Sequence, residues 1–401
     1  MALVVAIAIA GSLLLTPLAR VLAWRFDAVS RPDGDRRLHA KPTALWGGGA
    51  VYLAVLLGVA ASYRIVPGTL YTVMLLTALG LSTGMLCVLG CYDDCHELRA
   101  RWKLLGQVIC TLPIVLAGYY VERITLLGYG FELGWMGILF TMGWLVLGIN
   151  ALNLVDGMDG LASTVGIAIS LAVAVISLFH GVPETRLLAM ALAGALAGFL
   201  VYNLPPARIY LGDCGSMVIG LAVSVLALQV SLAGPRTSNV TIAASLLFVP
   251  LLDTGLAVLR RALNGQGLMV ADRGHVHHRL LDRGVNIWTT LGLLGAFCLI
   301  SGTAAGLVAY SGHELWAWGI LATLTIWAVN RRLLGHEEWR LLKRFVAQGV
   351  AQLGRRSAEP GMTASPPQAT IPHHADKTET WPRPLPVIQA KGSSEEAAKA
   401  A

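Results

Sequence analysis

Charge is scarce in this chain. Only 13% of its 401 residues are Asp, Glu, Lys or Arg, against about 25% in soluble domains. With 55% hydrophobic residues and a mean hydropathy of +0.65, that shortage excludes an ordinary soluble enzyme and a disordered chain. Cysteine is also sparse: six residues, no C-x-x-C pair, and hence no disulfide scaffold. Cys87, Cys91 and Cys95 fall on one helical stripe. A soft metal is one reading of it, small buried residues in a membrane helix the simpler one. The N-terminus lacks a basic leader region and a small-residue cleavage site, so residues 1–22 read as a retained span. Acidic residues are outnumbered, 23 against 30 basic, for a net +7. In a hydrophobic chain this balance reads as basic loops on one membrane face rather than as nucleic-acid binding.

What is abundant is apolar sequence. A bilayer core about 30 Å thick takes about 20 residues per helix. Eleven stretches qualify, near 1–22, 47–63, 69–91, 104–121, 134–152, 160–180, 187–203, 214–233, 241–260, 289–310 and 314–330. The expected fold is therefore an all-α polytopic membrane protein of about eleven transmembrane helices. Alternate connections differ in charge. One set carries fourteen Lys or Arg: five in 25–41, three in 99–103, one at 208 and five in 260–283. The other set carries Arg64, Arg123, Arg186 and Arg236. Basic loops stay cytoplasmic, which predicts the N-terminus outside and the C-terminus in the cytoplasm. Residues 1–335 form the membrane domain. Residues 336–354 read as an interfacial amphipathic helix, with Leu341, Leu342, Phe345 and Val346, and Leu334 just before it, toward the lipid. Residues 355–401 lack periodicity and read as a disordered tail.

The unusual polar residues gather in the basic connections. Asp93 and Asp94 end an apolar run, with Glu97 expected on the helical face of Asp93. Carboxylates at hydrocarbon depth cost roughly 2.5–3.5 kcal/mol each, so a cation, a base or water must meet them. The plain alternative is a solvated helix end paired with Arg99, Arg101 and Lys103. Asn150, Asn153, Asp156 and Asp159 recur every third residue around Gly157 and Gly160. Such hard oxygen donors suit Mg²⁺, and polar turn residues capping a helix suit the same pattern. Asp213 opens another span, either as an N-cap or beside an anion at the helix N-terminus. His275, His277, His278 and Arg279 make the densest polar knot, with His275, His278 and Arg279 expected on one helical face. Basic flanks favour anion binding over zinc there. Asp253, late in its span, is either a partner for Arg260 or a member of the site. His39, Lys41, Thr43 and the run Gly47-Gly48-Gly49 offer cations, a hydroxyl and backbone N–H groups to a phosphate, or simply make a basic surface loop.

Together these segments resemble the polyprenyl-phosphate N-acetylhexosamine-1-phosphate transferases over residues 1–335. A DDxxD-type loop stands as Asp93-Asp94-Cys95-His96-Glu97, with Glu in the last place, followed by Lys103 and Gln107. NxxNxxDGxDGL is intact from Asn150 to Leu161, GDxGS from Gly212 to Ser216, and HxHHRL from His275 to Leu280. The histidine segment resembles the branch that starts O-antigen, common-antigen and teichoic-acid chains.

The resemblance implies a bacterial inner-membrane enzyme with its active site on the cytoplasmic face. Its donor would be UDP-N-acetylglucosamine, its acceptor undecaprenyl phosphate, and its cofactor Mg²⁺, with Mn²⁺ as substitute. Asp213 and Asn153 would hold the metal. Asp93 or Asp94 would orient or deprotonate the acceptor, and Asp156 and Asp159 would shape the metal and nucleotide pocket. His275, His277, His278, Arg279, Lys103, Asn150, His39, Lys41 and Thr43 would bind substrate. Three rivals stand beside this reading: another UDP-N-acetyl sugar as donor, a phospho-N-acetylmuramoyl-pentapeptide transferase, and an ion-coupled transporter. A homodimer is compatible with the sequence.

Overall fold

The computed structural model describes residues 1–31, 42–62, 70–234, 236–267, 274–335, 338–341 and 343. His39, Lys41, most of the expected interfacial helix and the whole tail from 355 lie outside them. In chain order the elements are α1 (Ala2–Arg25), β1 (Val29–Ser30), β2 (Thr43–Ala44), α2 (Gly47–Ser62), α3 (Leu70–His96), α4 (Ala100–Leu116), β3 (Arg123–Leu126), β4 (Tyr129–Glu132), α5 (Met136–Val155), α6 (Leu161–Phe179), α7 (Pro183–Asn203) and α8 (Asp213–Val230). There follow β5 (Leu232–Gly234), β6 (Thr237–Asn239), α9 (Val240–Leu246), α10 (Phe248–Leu263), α11 (Val276–Asp282), α12 (Ile287–Ser311) and α13 (Glu314–Asn330).

The apolar runs become helices because a chain in lipid must satisfy its backbone N–H and C=O groups within itself. Among the described residues, seven helices are long and apolar enough to cross a membrane, and eight if α9 and α10 count as one bent span. The sequence suggests a continuous helix over 241–260; instead α9 and α10 meet at 83°. Pro250 explains the break, because its ring excludes the carbonyl of Leu246 from the helix and it has no N–H to donate. The bend turns α10, and Asp253 with it, toward the polar end of the bundle.

α8 is the hub. All its residues except Asp213 and Gln229 are buried. Glycines let the neighbouring backbones reach it: a Cβ on Gly48 would lie 2.1 Å from Gly215 Cα, one on Gly90 2.3 Å from Cys214 Cα, and one on Gly220 2.7 Å from Gly148 O. Small residues at such crossings are how membrane helices gain close packing.

Two small sheets depart from the all-helical expectation. β3 and β4 form a hairpin through Leu127 and Gly128, whose φ values of 51° and 81° suit the tight two-residue turn. β6 joins β3 in parallel and β5 joins β6 antiparallel. Buried Glu314 ties this sheet to α13, accepting from Leu127 N at 2.8 Å, from Asn239 Nδ2 at 3.2 Å and from the Thr241 hydroxyl. The sheet lies at one end of α5 and α8, and the polar motifs lie at the other. The second pair, β1 and β2, lies beside those motifs, where Tyr210 N donates to Ala44 O at 2.8 Å.

Candidate active site

A cavity of about 760 Å³ opens at the motif end of the bundle, within the range of small-ligand sites. Asp93, Asp94, Lys103, Asn153, Asp156, Asp159, Tyr210, Asp213 and His278 all line it. Segments up to 185 residues apart in the chain thus meet in one place.

α3 ends at His96, and the chain turns at Glu97 with φ at 46°. Glu97 is therefore not on the helical face of Asp93, contrary to the i, i+4 expectation. The turn instead brings Leu98 N to donate to Asp93 Oδ1 at 2.7 Å. Lys103, one turn into α4, reaches Asp93 Oδ2 at 2.8 Å and Asp213 Oδ2 at 2.6 Å. One ammonium thus bridges carboxylates from α3 and α8.

Asp94 lies over the N-terminus of α8, where Asp213 N donates to its Oδ1 at 2.9 Å. A carboxylate there complements the helix dipole and caps donors that Gly212 has no side chain to meet. Its other oxygen, Oδ2, is buried without a hydrogen-bond partner. Gly212 passes so close that a Cβ would lie 2.6 Å from that oxygen.

Asn153 donates from Nδ2 to Asp213 Oδ1 at 2.6 Å and to Ser216 Oγ at 2.8 Å, joining α5 to the GDxGS turn. Asp156 follows the last residue of α5. Burial, and then the negative charges of Asp213, Asp94 and Asp159, push its carboxyl well above the usual range. Asp159 accepts from Ala207 N at 2.9 Å. Asn150 points elsewhere: it donates to Gln107 Oε1 at 2.7 Å and Val146 O at 2.8 Å and does not line the cavity.

The histidine segment divides among three tasks rather than presenting one face. His275 precedes the first residue of α11, and its Nδ1 lies 2.8 Å from Asp253 Oδ2; Val276 N donates to Asp253 Oδ1 at 3.0 Å. A carboxylate only accepts, so Nδ1 carries the hydrogen. Of the two readings of Asp253, partner of Arg260 or member of the site, the observed contacts are with the histidine segment. His277 is buried against Gly157, with Nε2 lacking a hydrogen-bond partner. Burial, and then the neighbouring His278, hold its pKa down at about 3. His278 lines the cavity. Arg279 pairs with Glu338 at 2.7 Å.

The glycine run does not offer free amides. Gly47 N donates to Tyr210 O at 3.0 Å, Gly48 N to Leu211 O at 2.9 Å and Gly49 N to Trp46 O at 3.1 Å. Two of the three are needed for packing: a Cβ on Gly48 would run into the α8 backbone at Gly215, and one on Gly47 into the Phe199 ring and Tyr210 O, whereas one on Gly49 would meet nothing. Thr43 is buried in β2 and hydrogen-bonds Tyr210, itself a cavity residue that sequence reasoning did not single out. Leu334 is 6% exposed within the protein and is not available to the membrane surface.

Five aspartates and Glu97 line the cavity against one lysine and His278, so its electrostatics call for a cation. No group of three His, Cys, Asp or Glu side chains among the described residues is placed to hold one ion. Mg²⁺ needs no such group, since it takes one or two carboxylates and completes its shell with water and substrate phosphates.

Comparison with known proteins agrees with this arrangement. The model for glycosyl transferase family 4 matches residues 75–231. The chain is 34% identical over 276 residues to a probable undecaprenyl-phosphate N-acetylglucosaminyl 1-phosphate transferase of Bacillus subtilis, covering 68% of this chain and 75% of that protein. It is 34% identical to a decaprenyl-phosphate N-acetylglucosaminephosphotransferase of Mycolicibacterium smegmatis, covering 66% and 71%. A phospho-N-acetylmuramoyl-pentapeptide-transferase of Moorella thermoacetica is 36% identical over 217 residues, covering 50% and 65%. With carboxylates from four helices or their ends converging on one cavity of an apolar bundle, the chain belongs to the polyprenyl-phosphate N-acetylhexosamine-1-phosphate transferases and is a sugar-phosphate transferase.

Proposed function

We propose that the protein transfers N-acetylglucosamine 1-phosphate from UDP-N-acetylglucosamine to undecaprenyl phosphate and releases UMP. The product is the lipid-linked first sugar of a cell-envelope polysaccharide. The observation that carries this reading is the acidic cavity with Lys103 and His278 at one end of the apolar helices. A lipid phosphate and a nucleotide sugar can meet there without either leaving its own phase.

In the reaction an oxygen of the lipid phosphate attacks the donor's β-phosphorus. The bond from that phosphorus to the oxygen bridging the two phosphates breaks, and the electrons leave with UMP. Asp94 lines this space, held by Asp213 N at its Oδ1, and orients or deprotonates the acceptor. Lys103 keeps Asp93 and Asp213 in place between the anions. His278 meets the donor pyrophosphate, while Asp156 and Asp159 shape the nucleotide side of the cavity.

Mg²⁺ fits the donor set, and Mn²⁺ would substitute. Asp213 and Asn153 would hold it, and when bound it would screen the phosphates and polarise the phosphorus under attack. Direct attack asks less of the site than a phospho-aspartate route, since Asp94 Oδ1 is already engaged by Asp213 N.

We further read eleven helices as crossing the bacterial inner membrane, with the N-terminus outside and the cavity and C-terminus in the cytoplasm. The fourteen-to-four division of basic residues supports this orientation.

The test is UMP release by purified protein with undecaprenyl phosphate, Mg²⁺ and a panel of UDP-sugars. Release with UDP-N-acetylglucosamine, lost on adding EDTA and in Asp213→Asn, is the expected result. Turnover of UDP-N-acetylmuramoyl-pentapeptide instead would favour the reaction named for the Moorella relative. Release only with another UDP-amino sugar would keep the chemistry and move the pathway. No release with any donor from folded protein would bring back transport.

A further inference from the structure

Glu338 lies beyond the last long helix and outside every motif discussed above, yet it is almost completely buried, with 4% of its side chain exposed. The chain reaches it through a tight reversal. Arg332 and Gly335 take left-handed φ values of 59° and 72°, and between them Leu333 and Leu334 are buried beside Phe248, Leu252 and Val276. Arg283 donates to the main-chain oxygens of Arg331 and Arg332, tying the reversal to the connection after α11.

The Glu338 carboxylate accepts from Arg260 Nη1 on α10, and from Arg279 at 2.7 Å (Nη2 to Oε1) and 3.4 Å (Nη1 to Oε2). The arginine side chains are 5% and 11% exposed. Burial works to raise the carboxyl's pKa, and the hydrogen bonds from Arg260 and Arg279 outweigh it and hold the group ionised. This is not a surface ion pair that solvent can replace.

α11 is seven residues long, too short to hold a helix or its own rotation without tertiary contacts. It is fixed at two points. Asp253 holds its first turn through His275 and Val276 N, and Glu338 holds Arg279 three residues further on. His278 lies between these anchors and lines the cavity. We propose that Glu338 is a positioning residue for the transfer reaction: by clamping Arg279 it sets the rotation of α11 and thereby the place of His278 in the cavity. Arg279 then serves the site from behind instead of touching the donor, and the chain after α13 belongs to the active-site framework. The inference rests on the reading of His278 as a donor contact.

The experiment uses the full chain in detergent, with KM and kcat measured separately for the UDP-sugar and for undecaprenyl phosphate, and Tm beside them. A small misplacement of a positioning group can cost up to about 10²-fold, so Glu338→Gln is expected to raise KM for the UDP-sugar at least about tenfold. KM for the lipid phosphate should stay unchanged. Glu338→Asp should recover part of the loss. Arg279→Lys, which keeps the charge but not the fork, should show the same split and guards against a Gln variant that fails to fold. Combining Glu338→Gln with Arg279→Gln should be no worse than the worse single change, because both break one clamp. Equal losses for both substrates that track Tm, or additive losses in the double variant, would overturn the proposal. A wrong donor assignment shows in the wild-type protein, whereas a wrong role for Glu338 shows only in the ratio of variant to wild type.

Discussion

The Nε2 of His277 sits 2.3 Å from where a β-carbon on Gly157 would stand. Two motifs separated by 120 residues are thus interlocked, the glycine of one making room for the imidazole of the other. Gly157→Ala should push the ring off its seat. Overpacking a filled site costs about 1–3 kcal/mol, and activity should fall much further than stability because His278 is the next residue. Gly157→Ala combined with His277→Ala should regain stability by thermal unfolding without regaining turnover. A Gly157→Ala variant as active as the wild type would remove the interlock from the mechanism.

Gly212 makes a second such demand, on the backbone. Its φ of 73° and ψ of 173° lie in a region essentially reserved for glycine, where other residues cost about 1–3 kcal/mol. A Cβ there would also meet Asp94 Oδ2. Gly212→Ala is expected to insert into the membrane and to lose UMP release almost entirely. Turnover near the wild-type level would mean that Asp94 need not stay where it is.

Lys103 is the cation between Asp93 and Asp213. Removing one partner of a buried pair costs about 3–5 kcal/mol in general, and less here because Asp213 is 29% exposed. Lys103→Met should lower Tm and abolish turnover, while Lys103→Arg, with a longer and wider head, should keep more stability than activity. Equal stability of Lys103→Met and wild type would show that water already screens the two carboxylates.

Acid should destabilise the fold through His277. Its folded pKa is about 3, below the ordinary 6.5, so between these values the unfolded chain binds the extra proton. Stability is therefore complete above about pH 6.5 and declines as pH falls toward 3, by at most about 1.4 kcal/mol per pH unit for one group. Tm measured from pH 7 to pH 5 should fall, and His277→Gln should flatten part of that slope. An unchanged slope would assign the acid sensitivity to other groups.

The helices and the motif loops were legible before any coordinates. Apolar length alone locates α1, α3, α5, α6, α7, α8 and α12, because lipid leaves a chain no other way to satisfy its backbone. The aspartates at 93, 94, 156, 159 and 213 stand out because carboxylates beside hydrocarbon demand a reason. The failures are equally physical. The hairpin at 123–132 is too short for periodicity to reveal, and Glu97 leaves its helix because the chain turns back onto Asp93. The glycines at 47–49 look like a phosphate loop in one dimension, yet their amides donate to main-chain oxygens and Gly48 is where α2 touches the backbone of α8.

Composition and local spacing by themselves determined that this is a helical membrane-embedded protein with its polar chemistry gathered in a few connections, since hydrophobicity and helix period are properties of neighbouring residues. Only tertiary structure decided what each polar group does. Lys103 bridging Asp93 and Asp213, Asp253 holding His275, and Glu338 reaching back to Arg260 and Arg279 are pairings across 10 to 110 positions. No local pattern encodes them. They exist because a charge buried at the end of a helix bundle must find its opposite wherever the packing brings one.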